Sequence, residues 1–77
     1  MDEFLNFLVP QLVDHMEEVN IQKSEDGGSV TYLISVNKED MGKIIGKEGK
    51  IINAIRNLIK ILAVKENKRV IINLNEP

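Results

Sequence analysis

The chain has 77 residues, of which 43% are hydrophobic and 29% are charged. At about half the length of a typical domain it has room for one core, and the composition excludes the disordered, collagen-like and membrane-spanning classes. The absence of cysteine excludes a disulfide scaffold, and the N-terminus lacks the basic start and apolar run of a signal peptide. We therefore expect a single domain over residues 1–77, located in the cytoplasm and without membrane contact.

The net charge of -2 conceals an uneven distribution along the chain. Residues 1–37 contain seven acidic side chains and one basic side chain, whereas residues 38–69 contain nine basic and four acidic side chains. Such a division is typical of a protein with a basic face for a polyanion and an acidic back.

The first predicted element is an amphipathic helix over residues 2–18, because apolar residues recur there at three- and four-residue spacing. Pro10 lies inside this segment and cannot donate a helical hydrogen bond, so the helix is either kinked at Pro10 or starts near it. His15 is the only histidine and has no cysteine beside it. We therefore interpret it as a solvated helix residue and expect no metal or acid-base site.

A β-hairpin is predicted next. Residues 19–24 and 29–36 alternate apolar and polar side chains, and the turn residues Glu-Asp-Gly-Gly lie between them. The apolar positions of the second strand include Tyr32, which we expect in the core rather than in a stacking platform for bases.

The second half of the chain predicts two helices and a strand, over residues 40–45, 50–65 and 68–74. The longer helix is expected to bury one stripe, formed by Ile51, Ile55, Leu58 and Leu62. A two-helix crossover normally joins parallel strands. The predicted fold class is therefore α+β, in the order α-β-β-α-α-β, with a three-stranded mixed sheet and three helices packed on one face.

The loop between these helices reads Gly46-Lys47-Glu48-Gly49. Two glycines let a backbone approach a phosphate closely, and the amide groups that open the following helix point at an anion with the helix dipole behind them. Apolar side chains beside the loop, such as Ile44, Ile45 and Ile52, are expected to form a floor for unstacked bases. This combination favours single-stranded RNA over a duplex.

Two other interpretations of the loop exist. A plain connection between two helices, with glycine as a cap, would explain the glycines alone, and the lysines would then form a solvated helix face, as we expect for Lys60 and Lys65. A phosphate-binding NTPase loop is rejected, because the glycine spacing is short by one residue and no Ser or Thr follows Lys47.

The segment Met41-Gly42-Lys43-Ile44-Ile45-Gly46-Lys47-Glu48-Gly49-Lys50-Ile51-Ile52-Asn53-Ala54-Ile55-Arg56 resembles the signature of the KH domain. The element order resembles the prokaryotic type II arrangement, and the whole chain is similar to the small stand-alone bacterial KH proteins. In KH domains about four nucleotides lie in a groove beside this loop. The resemblance implies RNA contacts at Lys43, Ile44, Ile45, Gly46, Lys47, Glu48, Gly49, Lys50, Ile52 and Arg56. One wall of the groove should be lined by Ile44, Ile45, Gly46, Lys47, Gly49, Lys50 and Ile52, with Ile71 and Ile72 near the other.

Glu48 departs from this pattern, because its carboxylate partly offsets the charge of Lys47 and would repel a phosphate; we expect its side chain to point outward. The implied function is a non-enzymatic RNA-binding protein, a post-transcriptional regulator or an RNA chaperone, with no cofactor and no small-molecule substrate.

The resemblance also implies a homodimer, or a heterodimer with a larger KH-containing protein. The apolar face of the longer helix is wider than one sheet can cover, so either the N-terminal helix or a partner covers the remainder. A partner interface is expected at Ala54, Ile59 and Ile61. The alternative function is therefore a protein-interaction subunit in which RNA contact is secondary.

Overall fold

The computed structural model of the chain describes residues 1–75. They form three α-helices and three β-strands in the predicted order α-β-β-α-α-β. The elements are α1 (Asp2–Leu12), β1 (Asn20–Asp26), β2 (Ser29–Ser35), α2 (Met41–Ile45), α3 (Lys50–Lys65) and β3 (Arg69–Leu74). Short 3-10 turns lie at Met16–Glu18 and Lys47–Gly49. None of the helices formed by residues 1–75 is long and apolar enough to cross a membrane.

The strands form one mixed sheet with β2 in the centre. β1 pairs antiparallel with β2 across the turn at Gly27, and β3 pairs parallel with β2 after the crossover through α2 and α3. Tyr32 of β2 consequently lies between Lys23 of β1 and Ile72 of β3. The predicted fold class and the predicted strand directions are confirmed.

The core lies between one face of the sheet and the helices. Val30, Tyr32 and Ile34 alternate along β2 as buried residues, and the residues between them are half-buried, as in a sheet with one covered face. The helical members of this core cluster are Leu5, Val9, Ile44, Ile52, Ile55 and Ile59. The prediction that Tyr32 is a core residue is confirmed. Burial raises the pKa of its hydroxyl group, which donates a hydrogen bond to the carboxylate of Asp2.

The first helix is shorter than predicted, since it ends at Leu12 with Pro10 inside its last turn. Residues 13–15 leave the helix because the backbone N–H groups of Asp14 and His15 donate to the carboxylate of Asp40, at 3.2 and 2.9 Å. His15 therefore lies outside the helix, contrary to the prediction, and its side chain is half-buried. Its Nδ1 atom lies 2.9 Å from Oδ2 of Asp40.

The predicted stripe on α3 is only partly buried: Ile55 lies in the core and Leu62 is half-buried against it. The buried residues of α3 are Ile52, Ile55, Ile59 and Ala63, whereas Ile51 and Leu58 are exposed. Both sets of residues fit a period of 3.6. The orientation of α3 on the sheet decides between them, and a helical period by itself does not contain that orientation.

Candidate nucleic-acid interface

The glycine loop begins at Gly46, whose backbone has φ 77° and ψ 174°, a conformation almost confined to glycine. A Cβ atom at this position would lie 2.6 Å from Cγ1 and 2.9 Å from the backbone nitrogen of Ile51. Space and backbone angle therefore both require glycine here. The absence of a side chain lets the loop lie directly against the first turn of α3.

The second half of the loop is left-handed at two consecutive residues, Glu48 with φ 58° and Gly49 with φ 76°. The Gly49 N–H group donates to the Gly46 carbonyl at 3.2 Å, which closes the loop into a tight turn. The Glu48 side chain is exposed.

The start of α3 has no side-chain cap, because its N-cap residue is Gly49. Ser, Thr, Asp or Asn at that position would normally accept a hydrogen bond from the first-turn amides. The positive end of the α3 dipole therefore faces the loop with no side-chain hydrogen bond to its first-turn amides. Such an end can bind an anion.

The three lysines of this region differ in their surroundings. Lys47 and Lys50 are exposed and form no ion pair with any other residue in the described part of the chain. Lys43, by contrast, donates to the carboxylate of Asp14, and its ammonium group lies 3.7 Å from Oδ1 of Asp40. The bond to Asp14 raises the pKa of Lys43. Two acidic groups thus compensate the charge of Lys43, one of the expected RNA contacts, whereas the loop lysines keep theirs.

A buried carboxylate, that of Asp40, positions α2 and thereby the loop. Its burial was not predicted from the sequence. Asp40 immediately precedes α2 and is only 1% exposed. Burial raises the pKa of its carboxyl, but the bonds from the backbone and side chain of His15 and from the Asp14 N–H outweigh burial and lower it to about 2. The bond to Asp40 in turn raises the pKa of His15. In the sequence, Asp40 was visible only as part of a helix start.

The apolar residues expected beneath the bases are divided between core and surface. Ile44 and Ile52 are 0% and 4% exposed and belong to the core, so they do not form a floor for bases. They belong to the same buried cluster as Ile34 and Ile72 of the sheet. Ile45 is half-buried and Ile51 is exposed, so these two remain accessible beside the loop.

A groove lies between α3 and the edge strand β3, and we call it the β3 groove. It has a volume of about 240 Å³ and is lined by Arg56, Lys60, Val70, Ile71 and Ile72. The Nε and Nη2 atoms of Arg56 donate to the Ile72 carbonyl at 3.4 and 3.2 Å. Arg56, one of the expected RNA contacts, is thus in direct contact with Ile72, which was expected near one wall of the RNA groove. Lys60 also borders the β3 groove.

The surface of α3 also carries an exposed apolar strip. Its members recur at three- and four-residue spacing and are Ala54, Leu58, Ile61 and Val64. We call this set the α3 apolar strip. Ile59, which was expected at a partner interface, is 1% exposed and packs in the core, so it is not available to a partner. Ile61, by contrast, is 57% exposed.

Metal-ligating side chains are not gathered at this interface or elsewhere in residues 1–75. Within that range no group of three or more His, Cys, Asp or Glu side chains could hold a metal ion.

An α-β-β-α-α-β fold with a tight glycine loop between its two central helices is that of a KH domain. A family profile described as "KhpA/KhpB, KH domain" matches residues 2–74 of the chain. A protein of Listeria monocytogenes named "RNA-binding protein KhpA" is 43% identical over 76 residues, which cover 99% of this chain and 100% of the relative. A protein of Chlamydia pneumoniae with the same name is 45% identical over 76 residues, covering 99% and 97%. No solved structure matches the chain.

The chain therefore belongs to the KhpA/KhpB family of KH-domain proteins.

Proposed function

We propose that this protein is a non-enzymatic RNA-binding domain that holds single-stranded RNA at the loop Gly46–Gly49. The observation that carries the proposal is the uncapped start of α3 behind a loop whose first glycine lies against Ile51. The relatives in Listeria monocytogenes and Chlamydia pneumoniae are both named RNA-binding proteins, which supports the same assignment.

The proposed contact begins with a phosphate group at the α3 N-terminus. The helix dipole attracts the phosphate, and Lys47 and Lys50 add positive charge that forms no ion pair within residues 1–75. The loop holds the sugar-phosphate backbone, so the bases of a single strand are free to turn towards Ile45 and the β3 groove. Because the attraction is electrostatic, we expect binding to weaken as salt is added.

We assign this activity to one cytoplasmic domain that acts in post-transcriptional regulation or as an RNA chaperone. One KH domain contacts about four nucleotides, so a second domain or a second copy would raise the affinity by increasing the effective concentration. This requirement connects RNA binding with association of the protein.

The test is an RNA titration followed by backbone amide NMR shifts. In wild type we expect RNA to shift the amide signals of Gly46 to Ile55. The variant Lys47→Asp/Glu48→Asp places two carboxylates in the loop, so these shifts and the RNA affinity should be lost. The chain offers a matched control, since Lys65 and Glu66 form the same dipeptide at the far end of α3. Lys65→Asp/Glu66→Asp should bind nearly as well as wild type. Absence of shifts in the wild type at low salt would contradict the proposal.

A second candidate function is a protein-interaction subunit, and the α3 apolar strip favours it. Four apolar side chains on one exposed helix face are unusual for a surface that contacts only water. The occupant would be a second copy of this chain or a larger KH-containing protein. In this proposal RNA contact is secondary.

Charge reversal at the strip separates the two candidates. Ile61→Glu should abolish association while preserving the fold, because the side chain is largely exposed. Phe7→Glu is the matched control, since Phe7 is an equally apolar, 69% exposed residue on a different helix. The mass in solution, measured by sedimentation with and without a partner, reports association. An unchanged mass in Ile61→Glu would contradict an interface at the strip.

A further inference from the structure

The acidic residue Asp14 is placed beside α2 by the buried carboxylate of Asp40. Oδ1 of Asp40 accepts the Asp14 N–H group at 3.2 Å, and Oδ2 accepts the His15 N–H group at 2.9 Å. These two bonds fix the backbone on both sides of the Asp14 Cα atom, and the preceding residue, Val13, is buried. The side chain of Asp14 itself is 73% exposed. The fold therefore holds a solvent-exposed carboxylate at a defined place next to α2.

This carboxylate pairs with Lys43, whose ammonium group donates a hydrogen bond to it. The only other acidic partner of Lys43 within residues 1–75 is Asp40, at 3.7 Å, which is longer than a hydrogen bond. Both oxygens of Asp40 already accept closer donors. The bond to Asp14 is accordingly the main cause of the raised pKa of Lys43. Asp14 is thus the group that retains the Lys43 ammonium.

Lys43 lies close to the loop at which we place the RNA strand. It precedes Gly46 by three residues, and the Gly46 N–H group still donates to the Gly42 carbonyl at 2.9 Å, so the helical turn continues up to the loop. Three residues span about 4.5 Å along a helix axis, which the four-carbon stem of lysine exceeds. The side chain of Lys43 is 46% exposed. Its ammonium group can therefore turn from Asp14 to a phosphate beside the loop.

The pairing decides what Lys43 gains from a phosphate. A lysine without a protein partner releases bound counterions when a phosphate replaces them, and this release drives binding. Lys47 and Lys50 are of this kind, since they form no ion pair within residues 1–75. Lys43 would only exchange the Asp14 carboxylate for another anion, so its gain is small while Asp14 is charged.

We propose that Asp14 limits RNA affinity by neutralising Lys43, and that Lys43 becomes a third lysine contact to the RNA phosphates when the Asp14 carboxylate is removed. The contact between Asp14 and Lys43 is in this sense autoinhibitory. The inference rests on the proposed function, because Lys43 meets a phosphate only when the loop holds the strand.

The experiment measures the affinity for a U-rich single-stranded RNA by fluorescence anisotropy in wild type and Asp14→Asn, at several salt concentrations. One additional phosphate contact to a single strand steepens the dependence of log affinity on log salt by about 0.7. We therefore expect Asp14→Asn to bind about 8-fold more tightly at about 50 mM salt and about 3-fold more tightly at about 200 mM salt. Asp14→Ser also removes the carboxylate and should show the same gain.

Asp26→Asn is the matched control. Asp26 is an exposed acidic residue at the end of β1 and forms no ion pair within residues 1–75. The variant changes the net charge by the same amount without touching Lys43, so the affinity should change by less than about twofold. A gain in Asp26→Asn equal to that in Asp14→Asn would show an effect of net charge alone and overturn the inference.

The double variant Asp14→Asn/Lys43→Gln tests whether the gain passes through Lys43. It has the net charge of wild type, and both its affinity and its salt dependence should return to those of wild type, within about twofold for the affinity. If the double variant keeps the tighter binding, or if Asp14→Asn binds more tightly without a steeper salt dependence, Asp14 only repels the strand and the inference is overturned. Equal affinities of wild type and Asp14→Asn also overturn it.

The same data separate this inference from the proposed function. Binding that depends on Lys47 and Glu48 but does not respond to Asp14→Asn would leave the RNA-binding loop in place and remove only the role of Asp14. Failure of wild type and Asp14→Asn to bind RNA at low salt would overturn both.

Discussion

Two glycine turns in this protein look alike in sequence and differ in what they require. Gly27, in the hairpin between β1 and β2, has φ 63°, and a Cβ atom there would meet nothing within 4 Å. Gly46, in the loop before α3, has φ 77°, and a Cβ atom there would overlap Ile51. The hairpin turn therefore needs only a backbone that tolerates a positive φ. The loop needs that backbone and also the empty space that brings it against a helix.

This difference explains why the turn at Gly27 only connects two strands, whereas the loop at Gly46 is suited to bind an anion. A turn in open solvent can accept any residue that tolerates the left-handed region, such as Asn or Asp. A loop that lies against the first turn of α3 places its backbone next to the positive end of a helix dipole. The predictions below alter the two turns or the parts that hold them, from the largest expected effect to the smallest.

The largest effect is expected for Gly46→Ala. The new Cβ atom meets both a conformation reserved for glycine and the side chain of Ile51, so the free energy of unfolding should fall by about 2–4 kcal/mol. RNA affinity should fall with it at temperatures where the variant is still folded. Urea unfolding followed by circular dichroism measures the change. A loss below about 1 kcal/mol would show that the loop can move away from α3.

A smaller effect is expected for Asp40→Asn, which acts on the support of the loop rather than on the loop. The amide keeps one acceptor oxygen but loses the charge that binds two backbone N–H groups and His15. We expect a loss of about 2–3 kcal/mol in the free energy of unfolding, which lowers the melting temperature by about 8–20 °C. The control is Asp14→Asn, which removes only an exposed ion pair with Lys43 and should change it by less than about 2 °C. Equal effects of the two variants would contradict the anchoring role of Asp40.

The hairpin turn should respond less than the loop. Gly27→Ala places a side chain in the left-handed region without any collision, so we expect a loss of only about 1–2 kcal/mol in the free energy of unfolding. Gly27→Asn should lose less, because Asn tolerates that region. RNA affinity should not change in either variant. A loss as large as that of Gly46→Ala would abolish the contrast between the two turns.

The smallest effect is a pH dependence of the Asp40 anchor. The pKa of His15 is raised in the folded state, so its contribution to stability is present below its ordinary pKa of 6.5 and is lost as the pH rises through the raised value. The pKa of Asp40 is lowered to about 2, so its contribution is present above its ordinary pKa of 3.8 and is lost as the pH falls towards 2.

The anchor should therefore stabilise the fold most between about pH 4 and pH 6.5. Between pH 6 and pH 8 we expect the melting temperature to fall by less than about 3 °C, and His15→Gln should remove that part of the dependence. An identical pH profile in wild type and His15→Gln would show that the contact between His15 and Asp40 does not contribute.

The local structure of the candidate site was predicted correctly where single residue types determine it, whereas its role in RNA binding stays a prediction. The loop at residues 46–49, the exposed Lys47 and Lys50 and the position of Arg56 on α3 all followed from local spacing. Ile44 and Ile52 were expected to contact RNA bases, and Ile59 was expected to contact a partner protein, but all three are buried in the core. The sequence shows that a helix is apolar but not which of its sides faces the sheet. The compensation of Lys43 was missed because Asp14, its partner, is 29 residues away in the chain.

The sequence by itself determined the order of the elements, the bounds of α3, the strand directions and the loop, because periodicity, glycine angles and connection rules are local properties. Only the tertiary structure decided the end of α1 at Leu12, the rotation of α3 on the sheet and the contact between Arg56 and Ile72. The physical reason is that these features depend on interactions between two residues that are distant in the sequence. The carboxylate of Asp40 binds the backbone N–H groups of two residues 25 and 26 positions away, just after the end of α1, and residues so far apart form no pattern along the chain.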